Sequence, residues 1–247
     1  MLPPPTLSIR NIDFGFSADK PVFKNFSLEL GKESPVMILG SSGCGKTTLL
    51  HLIAGLLPPL SGDVLRNSSL VSMVFQEPRL LPWKTVLENV SLPLLQQMDK
   101  KAACERALHF LRLVSMEGKA KEFPRSLSGG QRQRVNLARA FACPADFLLM
   151  DEPFQSLDIP LRIELMDLTR SLLENADTAG AVPLAVAVTH DPREAVYLGK
   201  KVILLGEKPK GIIHDELIDI SEADRAYGSP AQVELERKFL GLLTSRL

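Results

Sequence analysis

Apolar and polar residues alternate in the first third of the chain at the two-residue spacing of half-buried strands: Leu7, Ile9 and Ile12, then Val22 to Phe26, then Leu28 and Leu30. The unbroken run Val36-Met37-Ile38-Leu39 predicts a strand buried on both faces. A glycine-rich loop follows. Thr47 to Leu57 then holds good helix formers without an interior proline, until Pro58 and Pro59 stop it. Leu70 to Phe75 predicts another strand. Thr85 to Leu113 turns helical, with Ala103, Ala107, Leu108, Leu111 and Val114 spaced for one face, so a mainly helical insert sits mid-chain. After Ser128-Gly129-Gly130 comes a helix to Ala142, in which Val135, Ala138 and Phe141 recur every three residues. Phe147 to Met150 is a strand, Ile159 to Leu173 a helix, Leu184 to Val188 and Val202 to Leu205 strands, and the tail from Ser221 to Leu247 one or two amphipathic helices. Buried strands alternating with helices predict an α/β fold, its sheet mostly parallel and covered on both faces.

Composition narrows the class. With 247 residues, 45% hydrophobic and 23% charged, the chain is an ordinary globular one, large enough for one α/β domain or a domain with a subdomain. Lys+Arg and Asp+Glu balance at 29 each, which argues against nucleic acid as the main partner, since phosphate binding draws on a basic excess. The most apolar run, Leu49–Leu60, contains His51 and two prolines and falls short of the roughly 18 residues a membrane span needs. The start MLPPPTLS has neither a basic segment nor an apolar one, so the expectation is a chain without a signal peptide that stays in the cytosol; Pro3-Pro4-Pro5 predicts a frayed start. Cys44, Cys104 and Cys143 lie far apart and suggest neither a disulfide framework nor a zinc site.

The chemistry begins at Gly40-Ser41-Ser42-Gly43-Cys44-Gly45-Lys46-Thr47-Thr48, which fits G-x-x-x-x-G-K-[ST] between a predicted strand and a predicted helix. Glycines let the backbone turn so that successive N–H groups face phosphate oxygens, and the helix adds its positive end. Lys46 is suited to reach β- and γ-phosphates and Thr47 to ligate Mg²⁺. Cys44 contributes its backbone amide, or alternatively a thiol activated at a helix N-terminus. Downstream, four apolar residues run into Asp151 and Glu152. Asp151 is suited to hold Mg²⁺ and Glu152 to act as general base on an attacking water.

One further motif points to a family. Leu127-Ser128-Gly129-Gly130-Gln131, followed by Arg132-Gln133-Arg134 and a helix leading to Asp151, resembles the signature of the ATP-binding cassette (ABC) ATPases. Ser128 and the Gly129 and Gly130 amides open a helix and so make a second anion site. The resemblance implies a P-loop NTPase (RecA-like) core with an antiparallel β subdomain and an inserted helical subdomain. It implies a single domain over 1–247, with a nucleotide-binding core at about 7–84 and 145–220, a helical signature subdomain at about 85–144, and C-terminal helices at 221–247. Two such subunits, expected here as a homodimer, sandwich each ATP between the phosphate loop of one and Ser128–Gln131 of the other. Gln76 resembles the glutamine that contacts Mg²⁺ and the attacking water, and Ser156-Leu157-Asp158 the loop that crosses the dimer interface. His190 resembles the switch histidine that contacts the γ-phosphate, and Phe16 the aromatic residue that stacks on adenine, although Phe14 two residues away leaves either to the core.

Phe75-Gln76-Glu77-Pro78-Arg79-Leu80-Leu81-Pro82-Trp83 and the following Thr85–Val90 resemble the branch that energises nitrate, sulfonate and taurine importers. The implied partners are an integral membrane permease and, through it, an extracytoplasmic solute-binding protein, with the chain peripheral on the cytoplasmic face of the membrane. Trp83 and Pro82 either form an apolar dock for the permease beside Gln76 or tuck against the helical insert. Leu198-Gly199-Lys200-Lys201 departs from the Ala-Asp-Arg usual in the family, and 174–183 is longer and richer in Ala and Gly. Alternatives are a soluble ABC ATPase without a permease, an exporter subunit, or a P-loop kinase, which would leave the signature and His190 without a role.

Overall fold

A computed structural model describes residues 6–244 apart from 18, 32, 156, 176–182, 210 and 222. Two sheets organise it. The first is antiparallel, in the order β2-β1-β4, from β1 (Leu7–Ser17), β2 (Lys20–Leu30) and β4 (Ser61–Arg66). The second has six strands in the order β5-β6-β7-β3-β8-β9: β5 (Val71–Val74), β6 (Phe147–Asp151), β7 (Leu184–Thr189), β3 (Val36–Gly40), β8 (Lys201–Leu205) and β9 (Ile212–Leu217). All its pairings are parallel except β8 with β9.

Every residue of β3, β6 and β7 is buried. Because side chains alternate across a strand, Val36, Ile38, Phe147, Leu149, Val186 and Val188 face one core, shared with the antiparallel sheet and α1 (Lys46–Ala54). Met37, Leu39, Leu148, Met150, Ala185 and Ala187 face the other. That second core is closed by α2 (Val86–Ser91), α3 (Lys100–Leu113), α4 (Gly129–Ala142), α5 (Ile159–Asn175), α6 (Pro192–Leu198) and α7 (Pro230–Thr244). A sheet covered on both faces explains why its strands carry unbroken apolar runs.

Two local features differ from the sequence expectation. Helix α1 ends at Ala54, because Gly55 turns left-handed at φ 76° and bonds to Leu52 O; the prolines beyond are not what stops it. Burial in β1 switches from Leu7 and Ile9 to Ile12 and Phe14, because Asn11 at φ 49° inserts a bulge that changes the phase of alternation. Asn11 Nδ2 donates to Asn25 Oδ1 at 2.7 Å, and Asn25 (φ 48°) makes the matching irregularity in β2. As expected for one or two helices, the described tail forms an α-helix, α7, after a 3₁₀ turn at Ala223–Arg225.

Candidate active site

Strands β5, β6, β7 and β3 are parallel neighbours, so their carboxyl ends line one edge. There the chain passes from β5 to Gln76, from β6 through Asp151 to Glu152, from β7 to His190, and from β3 into the glycine loop. This edge is where open α/β sheets bind their ligands.

The loop between β3 and α1 depends on its glycines at specific places. Gly45 sits at φ 116°, and a Cβ on it would lie 2.8 Å from Val22 Cγ1, so both backbone and packing require glycine. Gly43 is at φ 80°. A Cβ on Gly40 would come within 2.7 Å of Cys44 Sγ, which shows the thiol turned inward. Cys44 is buried, and burial pushes its thiol above the ordinary value despite the opposing Lys46 charge. An activated thiolate is therefore disfavoured, and the Cys44 N–H donates to Ser41 O (3.3 Å) within the loop. Ser42 and Gly43 are exposed, Ser41 and Thr47 half-buried, and Thr48 buried.

Lys46, only 4% exposed, donates from Nζ to Gly40 O (2.9 Å) and Ser41 O (3.1 Å), which aims its ammonium along the loop. Its Nζ also lies 3.4 Å from Glu152 Oε1. The other carboxylate oxygen of Glu152, Oε2, is 2.9 Å from His190 Nδ1. Glu152 thus stands between a buried cation and an imidazole. Its backbone is left-handed at φ 40°, a conformation that costs about 1–2 kcal/mol for a residue with a Cβ. The Glu152 N–H bond to Val188 O (3.1 Å) holds it there. Next to it, Thr47 Oγ1 donates to Asp151 Oδ1 at 2.9 Å. Burial pushes the Asp151 carboxyl up, partly offset by the Thr47 hydrogen bond.

Lys46, Thr47, Asp151, Glu152 and His190 are therefore brought together. Gln76 is at the same edge, but its amide donates to Gln155 Oε1 instead of meeting Thr47 or Asp151. Phe16 is 72% exposed and meets the buried Phe14 edge-on, with ring centroids 5.2 Å apart, so Phe14 is the core residue and Phe16 the free one. Ser128 caps α4: its Oγ accepts from Gln131 N–H (3.3 Å), and Gln131 Oε1 accepts from Ser128 N–H (3.0 Å). At Gly130 a Cβ would lie 2.5 Å from Leu161 Cδ2, so that side chain would have to shift, whereas Gly129 has nothing within 4 Å of that position. Asp158 is exposed and caps α5 by accepting from Leu161 N–H (3.1 Å). Ser156 lies outside the described residues. Trp83 is 69% exposed, so it is not tucked against the helices.

The sequence pattern hides one polar ladder on α4. Gln133 and Asn136 are buried between the apolar positions, one turn apart, with Arg139 a turn further. Gln133 Nε2 donates to Pro153 O (2.5 Å), just after Glu152, and Asn136 Nδ2 donates to Phe75 O (2.9 Å), just before Gln76. Arg139 donates to Pro78 O and Arg79 O (2.6 and 3.1 Å). The helix that opens at Ser128 is thereby tied to the segments that carry Gln76 and Glu152. The only signal in the sequence is three long polar side chains recurring at three-residue spacing.

The same geometry has relatives. Residues 23–155 match the ABC transporter family. The aliphatic sulfonates import ATP-binding protein of Agrobacterium fabrum is 39% identical over 97% of this chain and 84% of its own length. The corresponding protein of Escherichia coli is 39% identical over 93% and 88%. Among solved structures, a dimeric bacterial ABC transporter cassette aligns with TM-score 0.73 at 30% identity, over 87% of this chain and all of that one. A post-hydrolysis cassette dimer bound to ADP and Pi aligns with TM-score 0.71 at 29% identity over the same shares. A phosphate loop, two acids and a histidine at one sheet edge, together with this similarity along nearly the whole chain, mean that the chain belongs to the ABC transporter family, as an ATP-hydrolysing subunit.

Proposed function

We propose that this subunit powers import of an aliphatic sulfonate or a related small anion, as one half of a homodimer docked on a membrane permease. The observation that carries the hydrolytic part is Glu152 set between Lys46 (3.4 Å) and His190 (2.9 Å). ATP enters the loop 40–48, where its γ-phosphate competes with Glu152 for Lys46. The displaced carboxylate stays with His190 and takes the proton of the water that attacks the phosphorus. Lys46 and the loop N–H groups meet the charge that builds on the phosphoryl oxygens, and His190 holds the γ-phosphate and Glu152 in register. Phe16 stacks on adenine.

The donor set suits Mg²⁺. Thr47 and Asp151 present hard oxygens 2.9 Å apart, and burial leaves the Asp151 carboxyl short of compensating positive charge. Thr47 and Asp151, with Gln76 once released from Gln155, would hold the ion, which would supply Lewis-acid charge to the phosphates.

Support for a dimer lies in the cassette dimers that this chain resembles. In such a pair the phosphate of an ATP held by a second copy meets Gly129, with Ser128, Gly130 and Gln131 beside it and Asp158 crossing the interface. The cassette is one domain, 1–247, with the boundaries given above. Exposed Pro82 and Trp83 dock the permease at the cytoplasmic face of the membrane, and a solute-binding protein delivers to that permease from outside. No helix among the described residues is long and apolar enough to cross a membrane, so the path for the solute belongs to the partner. The similarity to aliphatic sulfonate import proteins supports a sulfonate as solute.

Glu152→Gln tests the hydrolytic assignment. Turnover should fall at least about 100-fold, while ATP binding and ATP-dependent dimerisation, followed by light scattering, persist. Near-normal turnover would sink it. For the solute, the chain should restore growth on an aliphatic sulfonate as sulfur source in Escherichia coli lacking its own sulfonate import subunit.

A further inference from the structure

Glu152 and His190 meet at 2.9 Å, but they belong to separate segments: the one that runs from the end of β6 to the start of α5, and the one that joins β7 to α6. His190 is exposed, with 45% of its side chain accessible, so little packing holds its ring. Its position is set by its neighbours in the chain. On the inner side that hold is buried. Thr189 Oγ1 accepts from Asp191 N–H (3.0 Å) and donates to Glu194 Oε2 (2.5 Å), and both Thr189 and Glu194 are buried.

On the outer side a single side chain closes the arrangement. Arg162, in the first turn of α5, donates from Nη1 to Asp191 Oδ2 at 3.1 Å and from Nη2 to Leu157 O at 3.2 Å. Its own N–H bonds to Asp158 O at 2.9 Å. One fork of the guanidinium thus holds the residue after His190, and the other holds the far end of the segment that begins with Glu152. Arg162 Nε is buried without a partner among the described residues, so the two outer nitrogens carry the hold. The planar fork reaches two acceptors at once, which a lysine ammonium on a flexible stem does not reproduce.

We propose that Arg162 is a positioning residue for hydrolysis: by bridging Leu157 O and Asp191 it sets the register between Glu152 and His190. The inference rests on the roles given above to those two residues. Asp191 has a second duty, since its Oδ1 accepts from Arg193 N–H (2.9 Å) and so caps α6. Asparagine caps as well as aspartate, which lets Asp191→Asn remove the charge pair while the cap stays.

The test uses the purified full-length chain, with steady-state ATPase kinetics, single-turnover assays for slow variants, and thermal melts. Arg162→Gln and Asp191→Asn should each lower kcat about tenfold, within the roughly 100-fold that a small misplacement can cost, and leave KM for ATP within about twofold. In a His190→Ala background, adding Arg162→Gln should cost less than about twofold more, because the residue it positions is gone. Should Arg162→Gln fail to fold, Asp191→Asn carries the same cycle. Two results overturn the inference: either variant keeping kcat within about twofold of the parent, or losses that add in full on His190→Ala, the mark of a merely structural side chain. If His190→Ala alone keeps wild-type turnover, the role of His190 itself is wrong and the inference falls with it.

Discussion

Glu194 sits on α6 with 4% of its surface exposed, and the described contacts give its carboxyl a hydroxyl partner, Thr189, but no ion pair. Burial pushes it from the ordinary 4.5 up to about 7; neighbouring Asp191 acts in the same direction, while the Thr189 hydrogen bond, then Arg162 and His190, oppose. A carboxyl raised in this way keeps its proton in the native state at pH values where the unfolded chain releases it. The stability it contributes is therefore complete below about pH 4.5 and is lost as pH rises through about 7. The gap between 4.5 and about 7, at about 1.4 kcal/mol per pH unit, corresponds to about 3 kcal/mol. Glu194→Gln keeps the shape and an acceptor for Thr189 but does not titrate. Urea unfolding followed by far-UV circular dichroism across this range should show the variant gaining on the parent by about 3 kcal/mol as pH rises to 7, then levelling off. A stability difference that stays flat, or that narrows with rising pH, would refute the idea that burial dominates at this carboxyl.

Other positions make separate demands. Gly45→Ala should abolish ATP binding in a fluorescent-nucleotide titration and destabilise the fold by about 1–3 kcal/mol, since φ 116° and the 2.8 Å approach to Val22 both oppose a Cβ. Phe16→Ala should raise KM for ATP about tenfold, the worth of one base–aromatic stack, with kcat unchanged and no loss of stability because the ring is exposed. Alkylation of the native protein, read by mass spectrometry, should reach Cys104 and Cys143 before the buried Cys44; rapid labelling of Cys44 would restore the case for a reactive thiol.

The parts of the fold legible in the sequence were those where burial is two-sided or chemistry is local. Val36–Leu39 and Phe147–Met150 stand out because a sheet covered on both faces leaves few polar positions in its strands. The glycine loop stands out because a phosphate cradle needs fixed spacing. Strands β4 and β9 were not legible: their residues are mostly exposed or half-buried, and Ser61–Arg66 has no apolar alternation to reveal it. The shift of phase at Asn11 depends on a left-handed residue that the local sequence does not demand. The residues gathered at the sheet edge were legible where a motif names them, and the contacts of Arg162 and of the Gln133–Asn136–Arg139 ladder were not, because they are made to groups distant in sequence, such as Asp191 and Phe75 O. Gln76 shows the same limit: its place in the chain was visible, its present bond to Gln155 was not.

Trp83 is the only tryptophan of the chain, and it stands 69% exposed, away from either core. An indole in that position makes the protein nearly blind, in its intrinsic fluorescence, to the loosening of its own interior. It makes it a sensitive reporter of anything that covers the surface at Trp83. Emission should begin red-shifted, as for an indole in water, and move to the blue when an apolar partner seats there, so the protein carries its own optical probe for assembly.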